Sequence, residues 1–567
     1  MLQIRCKNTG MTKSFPEGTS LLDIYQEFAD DIQLPYPVVS AKVNNVSQGL
    51  KFRVYQNRDV EFLDAREGSG HRAYVRSLSF VLYKATQDVF PGSKLFIEHS
   101  LCRGYYCNFK KKPNNGSGGK DNGMLTDEDV VLIKARMQEI IALDMPFRRT
   151  EATNEEAVRV FTDRGFQDKV KLLETSGQIY SDYYTLGDTV DYYHGPLVPS
   201  AGYLTVWDLE RYEQGLLLRV PDWNNPTQVA EKVAQPKTFE MFAEKTRWDI
   251  IMRLSNAGDV NRAIKRGHAS ELIQVSEALQ EKKIVQIAED IFDRCERSKG
   301  KNPIVLITGP SSSGKTTFCK RLSIQLLACG LRPLSFSTDD YFVNRVDTPK
   351  LPNGDYDFDN IETVEYRLLE EHLLRLMQGE RVEVPEYNFV TGQREWNGKR
   401  LKLSPDTVLI IEGIHALNPL LTSKIDDALK YKIYISALTS ISLDDHNWIP
   451  VRDNRLLRRI IRDYNKGAFT AQQTIAQWKN VCEAEDQWIF PFQETADVMF
   501  NSALNIEFAV LRTHAELILA QVPRNCPEYS EAHRLLKFIH YFLPVSDKEI
   551  PPTSIMREFV GGSSFKY

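Results

Sequence analysis

The sequence predicts an α/β protein whose C-terminal half is a parallel sheet with helices on both faces, preceded by a small mixed module and an α+β region. Three observations carry that expectation. From residue 303 onward, short unbroken apolar runs (PIVLIT, TVLIIE, YKIYIS) alternate with helical stretches, and strands apolar throughout belong to sheets buried on both faces. The first of these runs ends in a Gly/Ser loop that opens a helix. The 567-residue length is too great for one core; at about 150 residues per domain it suggests three or four domains.

In chain order, LQIRC, VVSAKVNN and DVEFLDA read as strands, and FPEGTSLLDIYQEF as a turn into a helix capped by Thr19 or Ser20. These make a small α/β module over 1–66, with Gly68, Ser69 and Gly70 as a linker. Over 71–225, HRAYVRSLSFVLYKATQDVF is a helix, KLFIEHS and GYYCNF are strands, and 110–123 is a polar surface loop. A helix over 126–142 is followed by aromatic-rich strands in YYHGPLVPSAGYLTVWDL and GLLLRVP. Residues 226–300 form a helical connector, 301–510 the parallel-sheet domain, and 511–567 helices packed on that domain.

Hydrophobic content of 42% and charged content of 26% are ordinary for a globular chain. A formal net charge of -5 argues against general attraction to nucleic acid or anionic membranes. The eight cysteines form no C-x-x-C pair, which points away from a disulfide or zinc scaffold and towards a reducing, cytoplasmic setting. No apolar run approaches the roughly 18 residues of a membrane span, so no membrane partner is expected.

The loop Gly309-Pro310-Ser311-Ser312-Ser313-Gly314-Lys315-Thr316, followed by Thr317, matches G-x-x-x-x-G-K-[ST] at every fixed position. Its glycines let successive N–H groups face a polyphosphate, and the helix that follows directs its positive end there. Lys315 is expected at the outer phosphates and Thr316 at magnesium, so ATP and Mg²⁺ are the expected cofactors. Ligands of parallel sheets sit beyond the carboxyl ends of the strands. There PLSFST ends at Asp339 and Asp340, and VLIIE ends at Glu412. One carboxylate can accept a proton from an attacking hydroxyl while another anchors the metal. For Asp339 and Asp340 the plainer alternative is a helix cap. Arg455, Arg458, Arg459 and Arg462 share one helix face, suited to closing over a triphosphate or to pairing with Asp453 and Asp463.

Taken together, GPSSSGKTT (309–317), STDDYF (337–342), YDFDN (356–360), VPEYNFVTGQR (384–394), IIEGIHAL (410–417) and RDNRLLRRIIRD (452–463) resemble the uridine kinase/phosphoribulokinase family. The resemblance implies Asp339 as catalytic base, with Thr316, Asp339 and Glu412 at the metal. It implies Arg458 and Arg462 at the nucleotide, and Asp357 or Asp359, Tyr387 and Arg455 at the acceptor. Asn388 stands where the family has an aspartate, and Gly392 where it has a base-reading histidine. Lys466-Gly467-Ala468 also departs from the family's element after the arginine helix.

FPEGTSLLDI (15–24) and AKVNN (41–45) resemble a TGS domain, of β-grasp type, and residues 71–225 resemble the editing domain of threonyl-tRNA synthetases. That domain's H-x-x-x-H pair is reduced to His71 and Val75, and DYYHGPL supplies His194 without the cysteine, so editing chemistry is expected to be absent.

The expectation is an ATP-dependent kinase for a small-molecule substrate, foremost the 5′-hydroxyl of uridine or cytidine. A different sugar or sugar-phosphate acceptor is the alternative, as is a nucleotide-switched RNA-associated protein. The acidic charge disfavours an RNA partner; a homo-oligomer is compatible with the sequence.

Overall fold

The computed structural model describes residues 1–113, 123–297, 303–352, 354–404 and 406–566. Its C-terminal half is built on five parallel strands in the order Arg332–Ser337, Thr407–Glu412, Ile304–Thr308, Lys430–Ser436, Val498–Asn501. Side chains alternate between faces with a period of two. Val305 and Ile307 pack against Phe318, Leu322 and Leu326 of helix Lys315–Ala328 and against Ile284 and Ile287 of helix Ala269–Arg297. Ile304 and Leu306 face the other way, towards Leu369 and Leu373 of helix Tyr366–Met377.

The N-terminal module is a mixed five-stranded sheet across the helix Leu21–Phe28. Its strand Leu2–Cys6 runs parallel to Arg58–Leu63 and antiparallel to Thr12–Phe15. Ser20 is the helix cap: its hydroxyl accepts from Asp23 N–H, and the Asp23 carboxylate accepts from Ser20 N–H. The following region joins a four-stranded antiparallel sheet and a three-stranded sheet to the long helix Gly68–Val89.

Two local expectations are corrected. Gly68, Ser69 and Gly70 are not a linker but the first turn of that helix. Gly70 comes so close to the preceding chain that a Cβ would lie 2.1 Å from the Asp64 carbonyl oxygen; glycine here serves packing rather than flexibility. Nor is 192–207 made of strands: Thr189–Asp191 and Asp208–Tyr212 flank it, and within it Ser200 makes a single bridge to Pro146. Pro196 and Pro199 have no N–H for a ladder, and the segment is held by side chains instead: Val198 N–H donates to Ser77 Oγ (2.9 Å) and His194 N–H to Asn447 Oδ1 (2.9 Å). Most of the 110–123 loop, residues 114–122, lies outside the described residues.

The halves are joined by a buried charge cluster. Lys169, fully buried, lies 2.9 Å from Asp191 and 3.0 Å from Asp444, and His446 Nδ1 lies 2.7 Å from Asp191. The C-terminal helices reach further than the sheet domain. Phe538 and Tyr541 share one core with Phe161 and Leu172 of the synthetase-like region and Val260 of the connector, and Arg72 pairs with Glu531. Among the described residues no helix is long and apolar enough to cross a membrane.

Candidate active site

The strand register builds the site. Ile307 lies beside Glu412, and Glu412 beside Ser337, so three strands end in one row and deliver the loop 309–316, Glu412 and Asp339 to one crevice. The loop admits no side chain at Gly309, where a Cβ would come 2.2 Å from the Ile435 carbonyl oxygen. Gly314, at φ +89°, occupies the left-handed region that glycine adopts without strain. Inside the loop the hydroxyls of Ser312 and Ser313 are buried without a partner among the described residues, and a phosphate cradle would supply one.

Lys315 bends over the loop, its ammonium donating to the Pro310 carbonyl (3.2 Å). Burial lowers its pKa, while Glu412, Glu558 and Asp339 pull the other way. Thr316 Oγ1 lies 3.5 Å from Glu412 Oε1. Burial pushes the Glu412 carboxyl up to about 7 against the attraction of Lys315. Burial also raises the Asp339 carboxyl, again opposed by Lys315. The cap in this turn is neither aspartate but Ser337, whose hydroxyl accepts from Asp339 N–H (3.2 Å). Of the two aspartates, Asp339 faces Lys315 and Glu412, whereas Asp340 accepts from the backbone of Tyr387. Among the described residues no group of three His, Cys, Asp or Glu side chains is placed to hold a metal ion. One hydroxyl and two carboxylates are instead the sparse set Mg²⁺ takes when phosphates and water complete its shell.

On the acceptor side the structure separates Asp357 from Asp359. Asp359 is raised to about 6 by burial, with Arg459 opposing and Glu485, Asp357 and Asp339 adding to the rise. Asp357 instead accepts from Asn360 Nδ2 (3.1 Å), so of the two it is Asp359 whose charge meets Arg459 and Asp339. Tyr387 is buried between Phe342 (5.5 Å) and Phe389 (5.1 Å). At Gly392, φ +70°, a Cβ would meet the Arg345 side chain at 2.8 Å. Arg345 thus fills the space into which a histidine there would project, its guanidinium donating to the Phe389 carbonyl (2.6 Å).

The arginine helix Val451–Asn465 divides its stripe. Arg455 and Arg458, assigned from sequence to acceptor and nucleotide, are buried behind the loop. Arg455 pairs with Glu485 (2.7 Å through Nη2) and reaches the Ser311 carbonyl (3.2 Å). Arg458 pairs with Glu507 (2.8 Å through Nη2) and donates to Ser502 Oγ (3.0 Å). Both brace the loop from outside. On the crevice side remain Arg459, 3.2 Å from Ser311 Oγ, and Arg462, whose charge depresses Lys315. Arg458→Ala would leave Glu507 buried and unpaired, and a stability loss of about 3–5 kcal/mol is expected in denaturant unfolding.

Two carboxylates that sequence reasoning missed engage the loop's own donors. Ser311 N–H donates to Glu485 (3.0 Å), and the backbone N–H (3.2 Å) and hydroxyl (2.7 Å) of Thr317 donate to Glu558. Glu558 comes from a C-terminal segment seated by Ile555 and Phe559 in the sheet's core. A negative side chain on donors suited to phosphate competes with phosphate. Glu558→Gln is therefore expected to tighten ADP binding about tenfold, one charge-assisted hydrogen bond, in a calorimetric titration; unchanged affinity would contradict competition.

His71 is buried, stacked on Trp223 (centroids 3.8 Å), and lowered to about 4 by burial. Val75, four residues on, is wholly in the core.

A parallel sheet with a phosphate-cradling loop and carboxylates at its strand ends defines a P-loop nucleotide-binding domain. Residues 304–507 match the model of the phosphoribulokinase / uridine kinase family. A uridine kinase of Mycoplasma genitalium is 30% identical over 181 residues, covering 32% of this chain and 76% of that protein. The chain belongs to the phosphoribulokinase / uridine kinase family. Its N-terminal region is similar to threonine–tRNA ligases, that of Syntrophomonas wolfei being 30% identical over 206 residues, 36% of this chain. The match spans only 30% of that ligase's length. A D-glycerate 3-kinase structure from Cryptococcus neoformans var. grubii aligns over 39% of this chain and 92% of its own, at 16% identity and a TM-score of 0.29.

Proposed function

We propose that the C-terminal half transfers the γ-phosphoryl group of ATP to the hydroxyl of a small molecule, with the 5′-hydroxyl of a pyrimidine nucleoside as leading acceptor. The observation that carries this is the convergence of Lys315, Asp339 and Glu412 on the crevice beside the loop. Asp339 takes the acceptor proton as the hydroxyl oxygen bonds to phosphorus and the bond to the β-phosphate oxygen breaks, releasing ADP. Lys315 and Arg462 neutralise charge on the transferring phosphates. Mg²⁺, held by Thr316 and Glu412 with Asp339 beside them, would supply further charge neutralisation. Family membership supports the reaction class.

Arg345 over Gly392 favours a second acceptor reading. With the histidine's space filled by a guanidinium, a sugar or sugar-phosphate hydroxyl competes with the nucleoside. ADP release across a panel of nucleosides and sugars tests both. Dependence on uridine or cytidine supports the first, dependence on a sugar alone the second, and no acceptor dependence sinks the proposal.

The Glu412 carboxyl at about 7 gives a pH signature. A proton and Mg²⁺ compete for the same oxygens, so Mg²⁺ affinity should fall as pH drops below about 7. Without metal, the raised folded-state pKa makes its contribution to stability greatest below the unfolded value of about 4.3. That contribution is lost as pH rises through 7. Glu412→Gln should flatten both profiles in titrations followed by calorimetry and by thermal unfolding.

A further inference from the structure

A cavity of about 1200 Å³ opens between the N-terminal module, the synthetase-like region and the C-terminal helices, and no residue of the phosphate loop lines it. Its walls are cationic from three directions. Arg72 and Arg534 share Glu531, Arg534 also pairs with Asp453, and Arg149 pairs with Asp182. The remaining cations have no such compensation. Arg76 donates only to the Pro196 carbonyl (2.9 Å through Nη2) and Lys51 to the Phe147 carbonyl (3.2 Å). Among the described residues no carboxylate lies within ion-pair distance of Arg76, Lys51, Arg148 or Lys537. Burial, then Arg72, brings the Arg76 guanidinium down to about 9. Of these four cations, Arg76 is half-buried, while Lys51, Arg148 and Lys537 are exposed to solvent within the lining.

Like charges gathered in a half-enclosed space repel one another, and the arrangement is relieved by an anion entering from outside. Guanidinium forks match phosphate oxygens better than they match a point charge. Beside the cations the wall is aromatic: Tyr105 and Trp448 lie 4.5 Å apart between centroids, and Tyr184 and Tyr541 also line the space. The volume lies just above the upper end of small-ligand sites, about 1,000 Å³, so a nucleotide fits with room for water.

We propose that this cavity binds a phosphorylated nucleoside carrying at least two negative charges, as a free small molecule and independently of the phosphate loop. Phosphates meet Arg76 and Lys537, and the base lies against the aromatic wall. It is a second nucleotide site, set between the N-terminal regions and the C-terminal helices and away from the phosphate loop.

Calorimetric titration of full-length Lys315→Met protein with uridine diphosphate, with pyrophosphate, and with a short single-stranded RNA tests this. Uridine diphosphate should bind the Lys315→Met protein. Its affinity should fall about tenfold when either Arg76→Gln or Lys537→Gln is added, and Lys537→Arg should retain it. Among the described residues Lys537 makes no ion pair that its loss would break, so folding is not at stake in that variant. Pyrophosphate binding as tight as uridine diphosphate overturns the nucleoside assignment, and binding of RNA alone overturns the small-molecule one. Failure of uridine diphosphate to bind at millimolar concentration, or indifference to Lys537→Gln, overturns the site itself. None of these outcomes depends on turnover at the phosphate loop.

Discussion

Asp339→Asn is expected to lower kcat by about 10²–10⁴-fold, the usual contribution of a positioned general base. The amide keeps the size of the side chain but cannot accept a proton at reaction pH. Burial already holds the Asp339 carboxyl above its ordinary range, with Lys315 opposing, which brings it nearer to the pKa useful for a base. Nucleotide affinity should change far less than turnover, because the donors around the phosphates are untouched. Asp340→Asn is the matched control. Its carboxylate is turned to the Tyr387 backbone, so steady-state kinetics should show a much smaller loss. Equal losses in the two variants would remove Asp339 from the role of base.

Lys315→Met is expected to cost about 10³-fold in kcat/KM, comparable to removing one strong electrostatic stabiliser from a dry site. The ammonium is the cation most deeply surrounded by Glu412, Glu558 and Asp339. Without it Glu412 and Asp339 lose the cation that opposes their raised carboxyls, and both move further up. Turnover should therefore fall and its pH profile shift to higher pH, both visible in initial rates of ADP release. A variant retaining the wild-type rate would mean that the phosphates bind elsewhere.

How much of this was legible in the sequence follows from the range of the interactions involved. The parallel sheet and the loop were readable because their signals are local: an apolar run, a spaced set of glycines, a lysine and a threonine. The carboxylates at the strand ends followed because a parallel sheet aligns those ends, as the neighbours Ile307, Glu412 and Ser337 show. The arginine stripe was legible as a helix face but not as a set of partners. Arg455 and Arg458 are claimed by Glu485 and Glu507, 30 and 49 residues away, and no spacing rule reaches that far. Asp357 and Asp359 lie two residues apart in an irregular segment, where no periodicity decides which turns inward. Glu558 was invisible for the same reason: it meets Thr317 across 241 residues, and nothing local marks it. In the N-terminal half, the Gly-Ser-Gly at 68–70 resembled a linker by composition, but the close approach to Asp64 explains those small residues.

The most direct measurement follows label from γ-³²P-ATP in the presence of Mg²⁺ and each acceptor of the panel. Label should appear on the acceptor hydroxyl in step with ADP, and should fail to do so in the Asp339→Asn protein. Label released only as inorganic phosphate, or transferred equally well without Asp339, would contradict the account.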